Sequence, residues 1–277
     1  MKKVEKIRTI LSSEFEIKLL DASIASLNDK GNKLRYNNFA YSIRELSRHF
    51  LRNLSPDEKI KQCPWFKKET CDGKPSRRQR IKYAIQGGLT DGMLKELGLD
   101  IDELEDYIKS ISDTINELSK YTHINEEVFD LKDSKVDKMS QQVLSTFADF
   151  VKMINSYREF LKQFLDGHID EHILTSIISS FFETVDQLAP RHSIEYTEVH
   201  DYNISEINDG FIVVDVSGFL HVTLEYGSNK ERREGDGLDI SESFPFETKI
   251  KYEISEKFPS DKYSVDEYDV DTSSWYE

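Results

Sequence analysis

The spacing of apolar residues along the chain changes once, near Pro190. Before that point apolar side chains recur every three or four residues, which is the period of an amphipathic helix. After it they alternate or form short runs, a pattern typical of β-strands. The pattern therefore predicts an α+β fold with two domains. These are an N-terminal all-helical bundle over residues 1–188 and a small, acidic, antiparallel β-rich domain over residues 194–277.

Helical periodicity is strong through most of the first part, and short connections favour a bundle of antiparallel neighbours. The stretch 57–75 has no sustained period, so we interpret it as an ordered loop anchored by Trp65 and Phe66. Gly167 is expected to close the longest helix. The predicted helices cover residues 4–27, as one helix or a helix pair, and residues 36–54, 76–86, 90–97, 101–121, 134–165 and 169–188.

The last part of the chain is predicted to form an antiparallel sheet of four to six strands. Val216 to Phe219 are expected to form a tight hairpin turn, and residues 227–237 a polar loop. The predicted strands cover residues 194–199, 211–214, 219–226 and 246–254.

Charge is distributed unevenly. The 277 residues carry a net charge of −15, yet residues 1–90 contain 20 Lys and Arg against 10 Asp and Glu. The basic front end predicts a nucleic-acid partner, and the acidic remainder a different one, either another protein or a second copy of the chain. The alternative is that the two parts of the chain attract each other.

Membrane insertion is not expected, because no apolar run approaches the roughly 20 residues of a membrane span. Charges interrupt the first 18 residues where a signal core would lie, so we expect a cytoplasmic protein. Cys63 and Cys71 are expected to be reduced thiols, since their spacing is wide for a zinc pair and no second pair exists. We expect neither a metal nor a cofactor.

The candidate chemistry begins with Arg44-Glu45-Leu46-Ser47-Arg48-His49, which places a histidine five positions after an arginine on a predicted helix. This spacing resembles the R-x(4-6)-H motif of the HEPN superfamily of helical ribonucleases and RNA-binding modules. The wider stretch resembles the predicted pPIWI-associated nucleases of bacterial conflict systems. That similarity is carried by NNFAYSIRELSRHFLRNLSPDE, CPWF, SRRQRIKYAIQGGLTDG and the end of the chain, FPFETKIKYEIS to VDTSSWYE.

The resemblance implies a metal-independent ribonuclease. His49 would move the proton of the attacking hydroxyl or of the leaving oxygen, and Arg44 would stabilise charge on the phosphoryl group. The cations expected to bind the nucleic-acid backbone are Arg48, Arg77, Arg78, Arg80 and Lys82.

One geometric point opposes catalysis by this pair. Positions five apart on a regular helix differ by roughly 140° of rotation, so Arg44 and His49 would flank the apolar stripe on opposite sides. Binding without cleavage, or a solvated helix face, are the alternatives.

The helix predicted at 76–86 has its own alternatives. Ser76 is placed to cap its first turn and Gly87 to end it. Its four cations, with Tyr83 and Trp65 available for stacking, suit a phosphate-bearing partner. The other reading is a charged surface helix docked on the acidic part of the chain.

Two weaker constellations suggest metal chemistry. His168 and His172 with Glu171 match H-x-x-E-H of inverted zinc peptidases, although acidic residues are common at a helix start. Asp215 with the segment 247–249, Glu-Thr-Lys, loosely matches the carboxylates and lysine of metal-dependent nucleases. Alternation on the wet face of any antiparallel strand also produces that pattern.

The acidic tail, residues 266–277, either shields the basic front end by mimicking nucleic acid or forms a final strand with a solvated end.

The leading hypothesis is an anti-phage or related conflict-system protein that binds RNA rather than DNA through its helical domain. As an enzyme it would also cleave that RNA. The competing hypothesis is a non-catalytic adaptor that assembles with a larger defence effector.

Overall fold

The computed structural model describes residues 2–178, 180, 182–255, 258–259 and 262–276. The chain divides into two compact units, Met1–Arg158 and Glu159–Glu277. Helices precede an antiparallel sheet, so the predicted α+β fold is confirmed. The predicted domain division between residues 188 and 194 stays a prediction. None of the described helices is long and apolar enough to cross a membrane.

The first unit is helical. Its main elements follow the predicted periodicity, and the predicted opening segment forms a helix pair. The helices are α1 Lys2–Arg8, α2 Glu14–Asn28, α3 Arg35–Leu54, α4 Asp57–Gln62, α5 Arg77–Gln86, α6 Asp91–Glu96, α7 Ile101–Leu118 with a 3-10 turn at Ser119–Tyr121, and α8 Asp133–Ile177, whose last part from Glu159 belongs to the second unit.

Helix α3 contributes much of the core of this unit. Phe39, Ile43, Leu46 and Phe50 are each at most 2% exposed, as expected for a stripe at three-four spacing. The ring of Phe50 packs edge-on against Phe147 of α8. Burial of each such side chain stabilises the fold by about 1.5–3 kcal/mol, so α3 is firmly seated and its polar side is held in one orientation.

Local capping fixes helix α5. The Ser76 side chain accepts a hydrogen bond from the Gln79 amide, and the Gln79 side chain accepts one from the Ser76 amide. Gly87 ends the helix at a φ of 56°, a conformation that favours glycine. Both predicted helix boundaries are therefore confirmed.

The expected loop at 57–75 is partly wrong, because it begins with helix α4. Pro56 stands directly before this helix, where a missing amide hydrogen costs nothing. The predicted anchors are confirmed, since Trp65 and Phe66 pack against a buried cluster of Ile60, Cys63 and Tyr83.

Gly167 does not end a helix, so the two helices predicted at 134–165 and 169–188 are wrong as separate elements. Helix α8 runs through Gly167 for 45 residues. The reason is that the apolar stripe keeps its phase across the glycine: Leu161, Leu165, Ile169 and Ile173 are all buried. A glycine inside a helix costs only about 1 kcal/mol, which this burial offsets.

The second unit contains a five-stranded antiparallel sheet in the order β1-β2-β3-β4, with β5 paired to β3. The predicted sheet is therefore confirmed. The elements are a short helix α9 Glu183–Asp186, β1 Arg191–Ile207, β2 Phe211–Tyr226, a short helix α10 Asn229–Glu234, β3 Leu238–Glu253, β4 Tyr263–Val265, β5 Asp269–Val270 and a 3-10 turn at Ser273–Tyr276.

The hairpin turn predicted at Val216 to Phe219 is wrong, because β2 continues through it. Gly218 pairs with Val199 of β1. A Cβ atom on Gly218 would lie 2.1 Å from the Glu198 carbonyl oxygen, so this glycine permits close approach of two strands rather than a turn. The loop predicted at 227–237 also contains a helix, α10, with Ser228 as its N-cap.

One face of this sheet is buried. Along β3, Phe244, Phe246, Ile250 and Tyr252 are at most 1% exposed and Thr248 is also buried, whereas the alternate positions are exposed or half-buried. The last part of α8 packs within the same unit, where His172 Nδ1 lies 3.0 Å from the Tyr252 hydroxyl. In the acidic tail, Val270 of β5 is buried beside β3, which supports the reading as a final strand.

Candidate nucleic-acid interface

A small cavity of about 200 Å³ lies between the solvent-facing side of α3 and the first turns of α5. Most of its lining is basic. We call it the arginine pocket, and its lining residues are Arg44, Glu45, Ser47, Arg48, Leu51, Arg52, Arg77 and Arg80.

Helical spacing brings three of these arginines to one side of α3. Arg44, Arg48 and Arg52 follow each other at intervals of four residues, so they lie one above the other on the same face. Leu51 and Ser47 of the lining are buried, which ties this face to the core. The backbone therefore places three guanidinium groups beside one another without any ligand.

A reciprocal pair of hydrogen bonds joins α3 to α5. The Ser55 hydroxyl donates to the Arg80 carbonyl at 2.7 Å, and Arg80 Nη1 donates to the Ser55 carbonyl at 2.9 Å. Arg80 also forms an ion pair with Asp57 at 2.6 Å. Because these groups are half-buried or buried, the wall formed by α5 is fixed relative to α3.

The pocket has more positive than negative charge. Glu45 is the acidic residue in its lining, at 2.8 Å from Arg48 and 3.6 Å from Arg44. Asp57 reaches Arg80 from outside the lining. Five guanidinium groups are thus opposed by two carboxylates, and the surplus is attractive to an anion.

Two of the arginines have unfavourable surroundings when no ligand is bound. The Nε atom of Arg44 is buried and has no hydrogen-bond partner in the described part of the chain. Burial lowers the pKa of Arg77, and the nearby charge of Arg44 lowers it further, although Arg77 also donates to the Asn116 side chain. Arginine stays protonated even when its pKa is lowered. The unpartnered Nε–H of Arg44 and the buried charge of Arg77 therefore destabilise the folded protein, and a bound anion would reduce that cost.

The structure does not bring His49 into this pocket. Its ring lies edge-on against Phe15 of α2, with the ring centroids 5.1 Å apart. This is the rotation expected for positions five apart on a regular helix. Arg44 and His49 therefore lie on different sides of α3, and their joint catalytic role stays a prediction.

Arg78 and Lys82, predicted to contact nucleic acid, are not in the pocket lining and are paired with acidic side chains. Arg78 bonds to Glu105 of α7. Lys82 lies 2.7 Å from Asp91 and 5.5 Å from the centre of the Trp65 ring. Both cations are thus engaged within their own unit, whereas Arg48, Arg77 and Arg80 line the pocket as a group with Arg44.

Arg52 is the residue that the sequence analysis missed. It is exposed and lines the arginine pocket. The signal was present, because Arg52 continues the four-residue spacing of Arg44 and Arg48.

The carboxylates and lysine of the β part meet on the wet face of the sheet. Asp215 of β2 stands opposite Lys249 of β3, and Lys249 Nζ lies 2.9 Å from the Asp215 carboxylate. Asp215, Lys249 and Glu247 all line a cavity of about 530 Å³ on this face. Hydrogen bonding to Asp215 raises the pKa of Lys249. The lysine neutralises the carboxylate that would hold a metal ion.

His172 of the H-x-x-E-H segment is packed among aromatic rings. It stacks on Tyr263 with a centroid distance of 3.7 Å, and burial and the charge of His168 lower its pKa. Cys63 is buried and Cys71 exposed, and neither is in a disulfide bond. Across the described residues, no group of three His, Cys, Asp or Glu side chains is placed to hold a metal ion.

The fold and the pocket define an α+β protein with a small cavity lined mainly by arginines. Two family models match the chain, over residues 8–147 and 154–276, and both are described as predicted pPIWI-associating nucleases. The chain belongs to this family, which confirms the resemblance seen in the sequence. No curated protein and no solved structure matches it. The resemblance of the segment 44–49 to the HEPN motif stays a prediction.

Proposed function

We propose that this protein is a nuclease-type component of a bacterial conflict system and that it binds the phosphate backbone of RNA in the arginine pocket. The family description supports a nuclease-type role in pPIWI-associated systems. The observation that carries the proposal is the pocket itself, in which Arg44 has a buried Nε–H with no hydrogen-bond partner among the residues that the structure describes. A phosphate oxygen would accept that hydrogen and offset the surplus of positive charge.

Arginine suits this role for a geometric reason. Its planar fork presents several N–H groups that can donate to two phosphate oxygens at once, and it stays charged when half-buried. Arg48, Arg77 and Arg80 then act with Arg44 as backbone contacts, and Arg52 joins them. Contacts of this kind give affinity that does not depend on base sequence and that weakens with salt.

Cleavage is a separable part of the proposal. His49 would transfer the proton and Arg44 would stabilise the phosphoryl charge, which requires an RNA strand to pass from the pocket across α3. The axial separation of five helical positions is about 7.5 Å, so one strand can contact both residues. Binding rests on the pocket, whereas cleavage rests on the sequence motif alone.

The binding test uses fluorescence anisotropy with labelled single-stranded RNA at several salt concentrations. Arg44→Gln and Arg77→Gln should each weaken binding about tenfold or more, because one charge-assisted hydrogen bond contributes about 1.5–3 kcal/mol. Each change should also reduce the slope of log binding constant against log salt concentration by about one, the value for one lost phosphate contact. The matched control is Arg233→Gln, which removes an exposed arginine of α10. Equal losses in all three variants would contradict a local site.

The cleavage test incubates the same RNA with the protein in metal-free buffer. His49→Ala should abolish cleavage and leave anisotropy unchanged, since the ring lies outside the pocket. Cleavage that persists in this variant removes His49 from the mechanism.

A second candidate function is a non-catalytic adaptor. It is favoured by the pairing of Arg78 and Lys82 with acidic side chains and by the family description, which names association with pPIWI proteins. In this proposal the protein delivers bound RNA to a pPIWI-type partner. Stable co-purification with the co-expressed partner, together with RNA binding and no cleavage in metal-free or Mg²⁺ buffer, would favour the adaptor over the enzyme.

A further inference from the structure

The arginine pocket is a small, partly open cavity between α3 and α5. Its volume is about 200 Å³. Sites that enclose a whole small molecule measure about 300–1,000 Å³. The pocket is therefore smaller than such sites and suited in size to a phosphate group.

The basic surface does not continue from the pocket along α5. Arg78 and Lys82, the next cations on that helix, are paired with Glu105 and Asp91. Proteins that hold single strands without regard to their ends use a continuous basic groove with stacking aromatic rings. Here five guanidinium groups instead line one small cavity between α3 and α5.

The charge of the pocket also fits a particular kind of phosphate. Five guanidinium groups opposed by Glu45 and Asp57 leave a surplus of three positive charges. An internal phosphodiester contributes a single negative charge. A phosphomonoester carries about −1.5 to −2 near neutral pH and has three oxygens free to accept hydrogen bonds.

The pocket offers a buried donor and two adjacent guanidinium groups to such oxygens. Arg44 presents a buried Nε–H without a partner among the described residues, and Arg77 lies close enough to Arg44 for the two charges to repel. A group that approaches both arginines at once relieves the repulsion and fills the unused donor. A monoester can turn three oxygens toward the walls, whereas a phosphodiester must keep two of its oxygens bonded to the chain on either side.

We propose that the arginine pocket binds a terminal phosphomonoester of a nucleic-acid strand in preference to internal phosphodiesters. This inference rests on the proposed function, because it concerns the same pocket, and it narrows the substrate to strands that end in a phosphate. A 5′ and a 3′ terminal phosphate share this chemistry.

The test measures anisotropy for three RNA oligonucleotides of one sequence, each labelled internally. One has a 5′-phosphate, one a 3′-phosphate and one hydroxyl groups at both ends. At least tenfold tighter binding of one phosphorylated strand is expected, and the preferred strand identifies the end that is bound. Arg44→Gln and Arg77→Gln should abolish the preference, while Arg233→Gln should retain it.

The outcomes separate this inference from the proposed function. Equal affinity for the three strands, lost in Arg77→Gln, would overturn the terminal-phosphate inference and leave RNA binding in the pocket intact. Failure of all three strands to bind would overturn both. A preference for one phosphorylated end that survives both arginine variants would place end recognition elsewhere and overturn the inference. Near-native circular dichroism of the variants excludes unfolding as the cause.

Discussion

Arg44 of α3 and Arg77 of α5 line the same small cavity, and the charge of Arg44 adds to burial in lowering the pKa of Arg77. Two like charges are thus held close together, because α5 is capped and is hydrogen-bonded to the end of α3. Such an arrangement stores unfavourable electrostatic energy at one point, which is common where a protein binds an opposite charge.

The variant Arg77→Gln should therefore separate stability from binding. Removal of the charge relieves repulsion and loses a hydrogen bond to Asn116, so we expect the free energy of unfolding to be unchanged or raised by up to about 1 kcal/mol. RNA binding should fall about tenfold or more. Urea denaturation and anisotropy on the same preparation measure the two effects. A clear loss of stability would mean that Arg77 serves mainly the fold.

Gly167→Ala tests whether α8 is continuous. A Cβ atom at this position meets nothing within 4 Å, and the residue is helical, so alanine should raise the free energy of unfolding by about 0.5–1 kcal/mol. Gly98→Ala is the matched control, because Gly98 also has open space but a φ of +90° that alanine tolerates poorly. Destabilisation by both changes would indicate a helix end at Gly167.

Gly218→Ala should damage the sheet. Its Cβ atom would lie 2.1 Å from the Glu198 carbonyl oxygen and 3.0 Å from the ring of Phe246, so the strands must separate. Overpacking of this kind costs about 1–3 kcal/mol or more. Gly210→Ala, with no neighbour within 4 Å, provides the control and should change stability little. Thermal unfolding of the two variants measures the difference, and similar midpoints would contradict the register of β1 and β2.

Stability should depend on pH through His172. Burial, with the charge of His168, lowers the pKa of His172 in the folded protein below its unfolded value near 6.5. The unfolded chain then binds more protons, so this contribution is complete above pH 6.5 and is lost as the pH falls through the lowered folded pKa. An NMR titration should show His172 titrating below the ordinary histidine value near 6.5. A pKa for His172 at or above that value would refute the prediction.

Sequence periodicity was sufficient for α3 and α5, because each has a continuous stripe or a capping pair within a few residues. It failed at Gly167 and Gly218, where the same residue type can end an element or continue it. The choice depends on packing partners: a buried stripe on both sides of Gly167 and strand β1 against Gly218. Neighbouring residues in the chain do not contain that information.

Only part of the arginine pocket could be predicted, because the contacts that form it also join positions far apart in the chain. The cations of α3 and α5 were recognised, but the approach of the two helices depends on contacts between distant positions, such as the bonds between Ser55 and Arg80, 25 positions apart. The acidic partner of Arg78 is 27 positions away on α7, so its neutralisation could not be read from the basic helix. Arg52 was missed although its spacing from Arg48 was visible.

Glu45 has a consequence for how the arginine pocket discriminates among anions. Its carboxylate already lies beside Arg48 and Arg44, so an anion that binds the same N–H groups must compete with it. Weak, singly charged solutes such as chloride or acetate gain little from that exchange, whereas a multidentate dianion gains several bonds at once. Glu45 thus disfavours occupation of the arginine pocket by the common monovalent ions of the cell.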